Sequence, residues 1–266
     1  MLFAPGLLSG RVAVVTGGGT GIGRGIALEL ARVGATVVVA GRRPEPLGDV
    51  AREIERHGVP SLARSTDVRD WDQVQALVSE TVERFGTLDI LVNNAGGQFP
   101  SGFEELSPKG WKAVLEVNLN GVFHCTRAAA ETMIQQRRGK VINIVTGFTR
   151  RAAPGLSHSG AARAAVENLT RSLALEWAPH NIQLNCISPV ARTEAFARTA
   201  QQGPDGEDTF LAWVPAGRYA SVEEVGWLAV FLASPGGDYI TGEHIMLDGG
   251  YWLSVGIGSR FGKGGV

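Results

Sequence analysis

A glycine-rich turn is the first segment of the chain whose composition could do chemistry. It runs from Thr16 to Gly23, directly after a short apolar run and before a helix-length segment. Glycine lets the backbone approach a phosphate group, and the first turn of a helix offers free N–H groups and the positive end of its dipole. The turn predicts a site for the pyrophosphate of a dinucleotide; a glycine-rich turn without a ligand is the alternative. The predicted contacts are Gly17, Gly19, Thr20, Gly21, Ile22 and Gly23.

Charged residues follow the second and third apolar runs, where the adenosine end of a dinucleotide would lie. An acidic residue after the second run would bind the ribose hydroxyls of NAD, but the chain has Arg42 and Arg43 there. Two guanidinium groups suit a 2′-phosphate, so the sequence predicts NADP(H) as the cofactor. Asp67, followed by Val68, is predicted to accept a hydrogen bond from the adenine amino group. The alternatives are two solvated arginines and an aspartate that only forms a turn.

Short apolar runs alternate with longer amphipathic segments along the chain. Most runs are nearly continuous in Val, Ile, Leu and Ala, as in parallel strands buried on both faces. Predicted strands span residues 11–16, 36–40, 61–68, 88–93, 140–146, 182–187 and 245–247. Predicted helices include residues 21–33, 71–85, 108–133 and 161–178, and start signals stand at Ser107-Pro108 and from Ser221 to Glu224. This alternation predicts an α/β fold: a Rossmann-type, doubly wound, mostly parallel seven-stranded sheet with helices on both faces.

Composition narrows the class of protein. The 266 residues, 44% hydrophobic and 19% charged, suffice for one globular domain, and no repeat or linker divides residues 1–266. The net charge of -1 argues against nucleic acid or an anionic membrane as partner, and no apolar run approaches the ~20 residues of a membrane span. The 2 cysteines form no CxxC pair, so we expect neither a disulfide framework nor a metal site. A cytoplasmic location is expected.

An ordered set of further motifs accompanies the glycine-rich turn. The set comprises Asn93-Asn94-Ala95-Gly96, Asn118 in a predicted helix, Asn185 and Pro189 near the sixth strand, and Asp248-Gly249-Gly250. Through these motifs, residues 8 to 250 resemble the short-chain dehydrogenase/reductases. The resemblance implies a Rossmann fold, a homotetramer or homodimer, and a nicotinamide cofactor that also touches Asn94, Ala95 and Gly96.

The resemblance breaks at the residues that carry the family's chemistry. The family has a serine and, further along, a Tyr-x-x-x-Lys motif. The helical segment 164–170 sets the register, which places Arg163 on the lysine, Ser159 on the tyrosine and Thr146 on the serine. The family tyrosine is therefore absent. The 3 tyrosines of the chain lie elsewhere, at Tyr219, Tyr239 and Tyr251.

This absence discriminates between two reductions. Reducing a ketone produces an alkoxide, which needs an acid whose pKa is drawn towards neutrality, and a serine hydroxyl is far too weak. Hydride addition to the β-carbon of an α,β-unsaturated thioester instead collects charge as an enolate on the thioester oxygen. Hydrogen-bond donors can stabilise that oxygen without being strong acids. Ser159 and Arg163, with Thr146, suit the second reaction better than the first.

Several longer segments resemble the peroxisomal trans-2-enoyl-CoA reductase branch of that family. They read Ala4-Pro5-Gly6-Leu7-Leu8, Asn94-Ala95-Gly96-Gly97-Gln98-Phe99, Lys109-Gly110-Trp111 and His158-Ser159-Gly160-Ala161-Ala162-Arg163. The resemblance implies NADPH-dependent reduction of trans-2-enoyl-CoA in fatty acid metabolism, and a 2,4-dienoyl-CoA reductase branch lacks the tyrosine as well. The C-terminus matches no peroxisomal signal, so we expect a bacterial-type or cytosolic relative.

The register gives each candidate catalytic residue a role and an alternative. Arg163 is expected at the nicotinamide-side ribose, where its charge would favour the enolate; a helix-surface arginine is the alternative. Ser159 and Thr146 would donate to the thioester oxygen, unless backbone groups satisfy them. Asn118 would bend its helix and hold a water, as the family implies, or be an ordinary buried amide. His158 could supply a proton, but a loop histidine is the favoured interpretation.

Two segments lack a regular pattern. Residues 191–218 mix aromatic with flexible residues and are predicted to cover the substrate. Val190 follows Pro189 where the family has glycine, which leaves any role for Thr193 open. No structure is predicted for the glycine-rich tail 251–266.

Taken together, these residues predict an NADPH-dependent enoyl-CoA reductase acting on an acyl thioester. A carbonyl reductase with another acid, such as His158, is one alternative. A catalytically silent NADP-binding protein is the other.

Overall fold

Seven strands form one sheet in the computed structural model, which describes residues 2–150, 152–194, 196–197 and 210–254. The strands are β1 (Val12–Thr16), β2 (Thr36–Gly41), β3 (Ser61–Ser65), β4 (Ile90–Asn93), β5 (Gly139–Ile144), β6 (Ile182–Pro189) and β7 (His244–Leu247). They lie in the order β3-β2-β1-β4-β5-β6-β7, and every neighbouring pair is parallel. The predicted doubly wound sheet of seven strands is confirmed.

Helices connect the strands and cover both faces of the sheet. They include α1 (Gly21–Arg32), α2 (Pro44–Glu55), α3 (Trp71–Phe85), α4 (Pro108–Leu115), α5 (Gly121–Gln136), α6 (Ser157–Trp177) and α7 (Val222–Ala233). One apolar core lies between the sheet and α1, α2 and α7, and a second lies between the sheet and α3, α5 and α6. Because the central strands are buried on both faces, they read as continuous apolar runs rather than alternating ones.

The strand order creates the position of the site. The chain moves from β1 outward to β3 and then returns to the other side of β1 with β4. In doubly wound sheets this reversal opens a crevice beyond the carboxyl ends of the strands, where ligands bind. Thr16, Asn93, Ile144 and Pro189 end β1, β4, β5 and β6, and all four therefore border this edge.

Local capping signals define several helix starts. Ser107 accepts from the backbone N–H of Gly110 at 3.1 Å, with Pro108 as the first residue of α4. Ser221 and Glu224 form the predicted capping box of α7. These contacts satisfy N–H groups that the helices leave unpaired.

The predicted helix 108–133 is interrupted, which corrects the sequence prediction. A π-helical turn, Glu116–Asn120, separates α4 from α5. The Asn118 amide donates to the Val114 carbonyl oxygen at 3.0 Å and so inserts a side chain into the helical ladder. Apolar periodicity does not register such a local widening of the helix.

Other boundaries also differ from the predictions. β3 ends at Ser65 rather than at residue 68 because its partner β2 ends at Gly41, opposite Ser65. α6 begins at Ser157, ahead of the predicted residue 161, and Tyr251–Leu253 forms a 3-10 turn where no structure was predicted. Residues 195 and 198–209 of the predicted substrate-covering segment, and 255–266 of the tail, lie outside the described residues. Within the described ranges, no helix is long and apolar enough to cross a membrane.

Candidate active site

β1 and β4 hold the glycine-rich turn between their carboxyl ends. The Thr16 hydroxyl donates to the Val92 carbonyl oxygen (3.2 Å) and accepts from the backbone N–H groups of Asn94 (3.0 Å) and Ala95 (3.1 Å). The Asn94 amide donates back to the carbonyl oxygens of Thr16 (3.0 Å) and Gly17 (3.2 Å). The side chain of Asn94 therefore braces the turn.

The turn offers room and donors for an anion. Gly17 has φ +63°, a left-handed conformation that favours glycine, and a Cβ at Gly23 would overlap the Gly17 carbonyl oxygen. Thr20, the N-cap of α1, makes no side-chain capping hydrogen bond, and the first turn of α1 holds no acidic residue. The N–H groups at this helix end remain available, and the helix dipole favours a negative ligand there.

The predicted adenosine end lies between β2 and the loop after β3. Arg42 and Arg43 are exposed at the start of α2. The Asp67 carboxylate accepts from Arg69 Nε at 2.9 Å and from the Arg69 backbone N–H at 3.1 Å, which is the turn-forming role that the sequence left open. The Arg69 side-chain hydrogen bond lowers the pKa of Asp67, and the charge of Arg42 lowers that pKa further.

Val68 connects the loop after β3 to α5. Its carbonyl oxygen lies 2.9 Å from His124 Nδ1, and a Cβ at Gly121 would lie 2.6 Å from Val68 Cγ2. His124 is therefore a structural residue with a hydrogen-bond partner, and the close packing fixes the edge of the adenosine end.

Asn118 clamps the segment that follows β4 to the π-helical turn. The buried side chain donates to the Gly97 carbonyl oxygen at 2.6 Å and accepts from the Gly97 N–H at 3.2 Å. Together with the bond to Val114, these contacts occupy both ends of the amide. The π-helical turn lies at the position where Asn118 was expected to bend the helix, and Asn118 holds the backbone beside Gly96 in place.

Arg163 is buried rather than on the helix surface. Only 8% of the residue is exposed, and its Nη1 donates to the Ile144 carbonyl oxygen at 2.6 Å, at the end of β5. A Cβ at Gly96 would lie 3.3 Å from Arg163 Cζ and nearer still to Nη2, so the Nη2 end of the guanidinium points at this glycine. Among the described residues no carboxylate pairs with it. Burial lowers the pKa of Arg163 to about 10, and the group stays charged at neutral pH.

Ser159 makes a contact that the sequence does not predict. Its hydroxyl donates to Gln98 Oε1 at 2.6 Å, across the mouth between α6 and the segment after β4. The hydroxyl proton is thus engaged, and the bond fixes which way the Gln98 amide faces. Gln98 is exposed, and its Nε2 group is a further hydrogen-bond donor at this position.

His158 is fully buried in the first turn of α6, and the favoured interpretation as a loop histidine is wrong. Its ring centroid lies 4.8 Å from that of Phe99, and neither ring nitrogen makes a hydrogen bond of good geometry within the described residues. Burial lowers the pKa of His158 more than the Phe99 backbone raises it. The imidazole is therefore neutral at pH 7.

Comparison with known protein families identifies the class of this chain. A family model described as Enoyl-(Acyl carrier protein) reductase matches residues 17–252, nearly the whole chain. The chain belongs to the short-chain dehydrogenase/reductase family. The resemblance read from the sequence is confirmed at this level.

Relatives within the short-chain dehydrogenase/reductase family differ in substrate. The chain is 38% identical over 248 residues to a probable 2,4-dienoyl-CoA reductase of Bacillus subtilis, with 92% of this chain and 97% of the relative covered. It is 37% identical over 252 residues to gluconate 5-dehydrogenase of Gluconobacter oxydans, with 93% and 97% covered. A solved gluconate 5-dehydrogenase of Burkholderia cenocepacia, in complex with NADP and tartrate, has a TM-score of 0.86 and 36% identity over 92% of this chain and 96% of that one. Family membership alone does not identify the substrate.

Short-chain dehydrogenase/reductases bind a nicotinamide cofactor, and the turn of this chain fits the pyrophosphate of one. The uncapped start of α1 and the space kept free at Gly17 and Gly23 are the features that fit. Thr193 also lies beside this turn, because a Cβ at Gly21 would contact its methyl group at 3.5 Å. Val190 therefore does not prevent the segment after β6 from reaching the cofactor edge.

A network of polar side chains lies behind the site, and the sequence analysis does not predict it. The Asn93 amide donates to Asn143 Oδ1 (2.8 Å) and to Thr126 Oγ1 (3.0 Å), and the Asn143 amide donates to Thr170 Oγ1 (2.8 Å). These bonds join β4, β5, α5 and α6. The available signal was an asparagine in each of two apolar runs, Asn93 at the end of one and Asn143 within the other, but only Asn93 belongs to a recognised motif.

A cluster of polar side chains around the buried Glu167 holds the turn that follows Thr146. The Thr149 N–H donates to the Thr146 carbonyl oxygen at 3.3 Å, and Arg150 Nε donates to the buried Glu167 at 3.3 Å. His244 Nδ1 lies 3.0 Å from the other Glu167 oxygen. This cluster links the turn to α6 and β7, and Thr146 is half-buried at its start.

Aromatic residues gather where the substrate-covering segment was predicted. Phe196 lies 5.2 Å from both Phe210 and Tyr219, and Phe210 lies 4.8 Å from Tyr251, between ring centroids. Two of the three tyrosines belong to this cluster, and Tyr239 is fully exposed elsewhere. None of them replaces the family tyrosine in sequence.

Proposed function

We propose that this chain is an NADPH-dependent enoyl-thioester reductase that reduces the 2,3 double bond of a trans-2-enoyl-CoA. The observation that carries the proposal is Arg163, a buried cation for which the described residues provide no carboxylate. A buried charge without an opposite charge beside it is unfavourable. An enolate forming beside it supplies the missing negative charge during the reaction, and such preorganised stabilisation lowers the barrier.

Gln98 completes the set of donors in this proposal. Its amide is oriented by the Ser159 hydroxyl and directs Nε2 to the thioester oxygen. Ser159 then positions the donor instead of donating to the substrate itself, which revises the role expected from its place in the motif. Asn118 acts in the same indirect way, because its amide is fully used by Gly97 and Val114.

The adenosine end supports NADPH over NADH. Arg42 and Arg43 are exposed at the edge where the 2′-phosphate would lie, and their charges are available to it. When bound, NADPH supplies the hydride. The further contacts proposed for it are Asp67, Val68, Ala95 and Gly96, with Arg163 at the nicotinamide-side ribose.

The neutral state of the histidine beside Ser159 favours the thioester over a ketone. The only histidine next to Ser159 is His158, which is buried and neutral at pH 7 because burial lowers its pKa. Ketone reduction needs a proton donor at the oxygen, whereas enolate formation needs only donors and a positive charge there. The likeness to a probable 2,4-dienoyl-CoA reductase agrees with a conjugated thioester as substrate.

A carbonyl reductase is the second candidate, favoured by the likeness to gluconate 5-dehydrogenases. The deciding experiment follows NADPH oxidation with trans-2-enoyl-CoA esters of several chain lengths, a 2,4-dienoyl-CoA, a 3-oxoacyl-CoA and gluconate-type keto acids. We expect turnover of the enoyl esters and a saturated acyl-CoA as the product by mass spectrometry. Turnover of the keto compounds alone would refute the proposal, and tight NADPH binding without any turnover would indicate a silent family member.

Variants of Arg163 link the activity to the residue. Arg163→Met removes the charge, and Arg163→Lys retains it; Arg127→Met removes an exposed arginine of α5 as the matched control. We expect kcat to fall about 100-fold or more in the methionine variant, with partial recovery in the lysine variant. Equal activity of Arg163→Met and Arg127→Met would exclude the proposed role. Size-exclusion chromatography with light scattering tests the homotetramer or homodimer that we also propose.

A further inference from the structure

A second cavity opens at the opposite edge of the sheet from the candidate active site. It has a volume of about 120 Å³ and is lined by residues at the amino ends of the central strands. Arg11 precedes β1, Asp89 precedes β4, and Lys140 lies near the start of β5. The glycine-rich turn and Arg163 lie at the carboxyl ends, so the two sites are separated by the length of the strands.

Three cations and two carboxylates line this cavity. The cations are Arg11, Arg138 and Lys140, and the carboxylates are Asp89 and Asp238. Asp89 is buried and its oxygens already accept from Arg11 Nη1 (3.2 Å), Arg138 Nε (2.6 Å) and the Val12 N–H (2.9 Å). This carboxylate is saturated and has no further capacity to neutralise Lys140.

Lys140 is the cation that is least compensated. Its side chain is 11% exposed, and its Nζ donates to Asp238 Oδ1 at 2.7 Å, but the Asp238 side chain is 62% exposed at the rim. Water screens an exposed carboxylate, so it compensates a buried ammonium group poorly. In agreement, burial lowers the pKa of Lys140, which the Asp238 hydrogen bond raises and the charge of Arg11 lowers again. Within the part of the chain that the structure describes, Asp238 takes one Nζ proton, which leaves two for a ligand.

We propose that this cavity binds one small oxyanion, a phosphate or carboxylate group, through Lys140 with Arg11 and Arg138. The Asn181 side chain adds a neutral donor, because its oxygen accepts from Gln183 Nε2 at 3.3 Å and its nitrogen is left over. The volume suits a single anionic group, since sites for drug-sized ligands run to ~300 Å³ and above. The site is independent of the proposed function.

The test is binding of inorganic phosphate, measured by calorimetry and by the shift of the thermal midpoint at constant ionic strength. Saturating NADP+ is present throughout, and any phosphate at the glycine-rich turn contributes equally to every variant. Lys140→Met keeps the side-chain length and removes the charge, and we expect phosphate binding to weaken about tenfold or more. Asp238→Asn removes the competing carboxylate, and binding should tighten severalfold. Lys112→Met, an exposed lysine of α4, should behave as wild type.

Lys140→Met should weaken phosphate binding and Asp238→Asn should strengthen it, so a general loss of stability cannot produce both results. Unchanged phosphate binding in Lys140→Met, or weaker binding in Asp238→Asn, overturns the proposal. If Lys140→Met fails to fold, Asp238→Asn decides, because it alters an exposed residue. Repeating the titrations with acetate distinguishes a carboxylate site from one that requires the phosphate group.

Discussion

Gly96 provides a direct test of how the buried arginine is held. A methyl group at this position, in Gly96→Ala, would lie 2.7 Å from Asn118 Oδ1 and closer still to Arg163 Nη2, whereas ordinary contact begins near 3.4 Å. The amide oxygen must retreat by about 0.7 Å, and the guanidinium must move further. Neither group has free space, because Asn118 is held by Gly97 and Val114 and Arg163 by Ile144.

The expected loss follows from these contacts. Displacing Arg163 breaks or stretches its bond to the Ile144 carbonyl oxygen, and a hydrogen bond from a charged group contributes ~1.5–3 kcal/mol. We expect the free energy of unfolding in urea to fall by about that amount. A displacement of ~1 Å at a catalytic group reduces the rate about 100-fold, so kcat for the enoyl thioester should fall by this factor.

Gly97→Ala is the matched control. It introduces the same methyl group one residue later, where nothing lies within 4 Å of the added carbon. We expect this variant to keep the stability and activity of the wild type. If Gly96→Ala and Gly97→Ala have the same urea unfolding and the same turnover, the contact of Arg163 with Gly96 contributes neither to stability nor to the rate. That result would refute the prediction.

Three further outcomes follow from other contacts. Ser159→Ala and Gln98→Ala should each lower kcat about tenfold, because each variant loses one oriented hydrogen bond. The double variant should lose little more activity than either single variant. Additive losses in this double-mutant cycle would contradict a shared role. Trp227→Phe removes the donor to the buried Glu29 at 3.2 Å, and urea unfolding should show a loss of ~1–3 kcal/mol; an unchanged value would contradict the contact. The folded-state pKa of His158 is below its ordinary 6.5, so the unfolded chain binds its proton first and stability declines as pH falls through 6.5. His158→Phe should flatten that part of the stability–pH curve, and identical slopes would exclude it.

The architecture could be predicted from sequence because it depends on local patterns. Continuous apolar runs identify strands that are buried on both faces, and the spacing between them leaves room only for parallel connections with helices. The π-helical turn escaped prediction because apolar periodicity does not report the hydrogen bond from the Asn118 side chain to the Val114 carbonyl oxygen. The short β3 escaped for a similar reason, since its length is set by where β2 ends.

The candidate site likewise has a part that the sequence predicts and a part that it does not. The glycine-rich turn is a contiguous motif and was placed correctly between β1 and α1. The contact from Ser159 to Gln98 joins residues 61 positions apart, and the register of a motif carries no information about it. The orientation of the Arg163 side chain could not be predicted from the sequence either. It depends on the space that Gly96 leaves and on the position of the Ile144 carbonyl oxygen.

The exchange of a tyrosine–lysine pair for Ser159 and Arg163 separates two tasks under the proposed function. A guanidinium with a pKa of about 10 stays charged at neutral pH, so it can stabilise negative charge but is a poor proton donor. A ketone needs both tasks at one atom, because the oxygen that gathers charge also takes the proton. In an enolate the charge gathers on the thioester oxygen, and the α-carbon takes its proton from solvent water. Arg163 and Gln98 can serve the first atom without serving the second, and this is the physical reason to prefer a conjugated thioester over a ketone as the substrate.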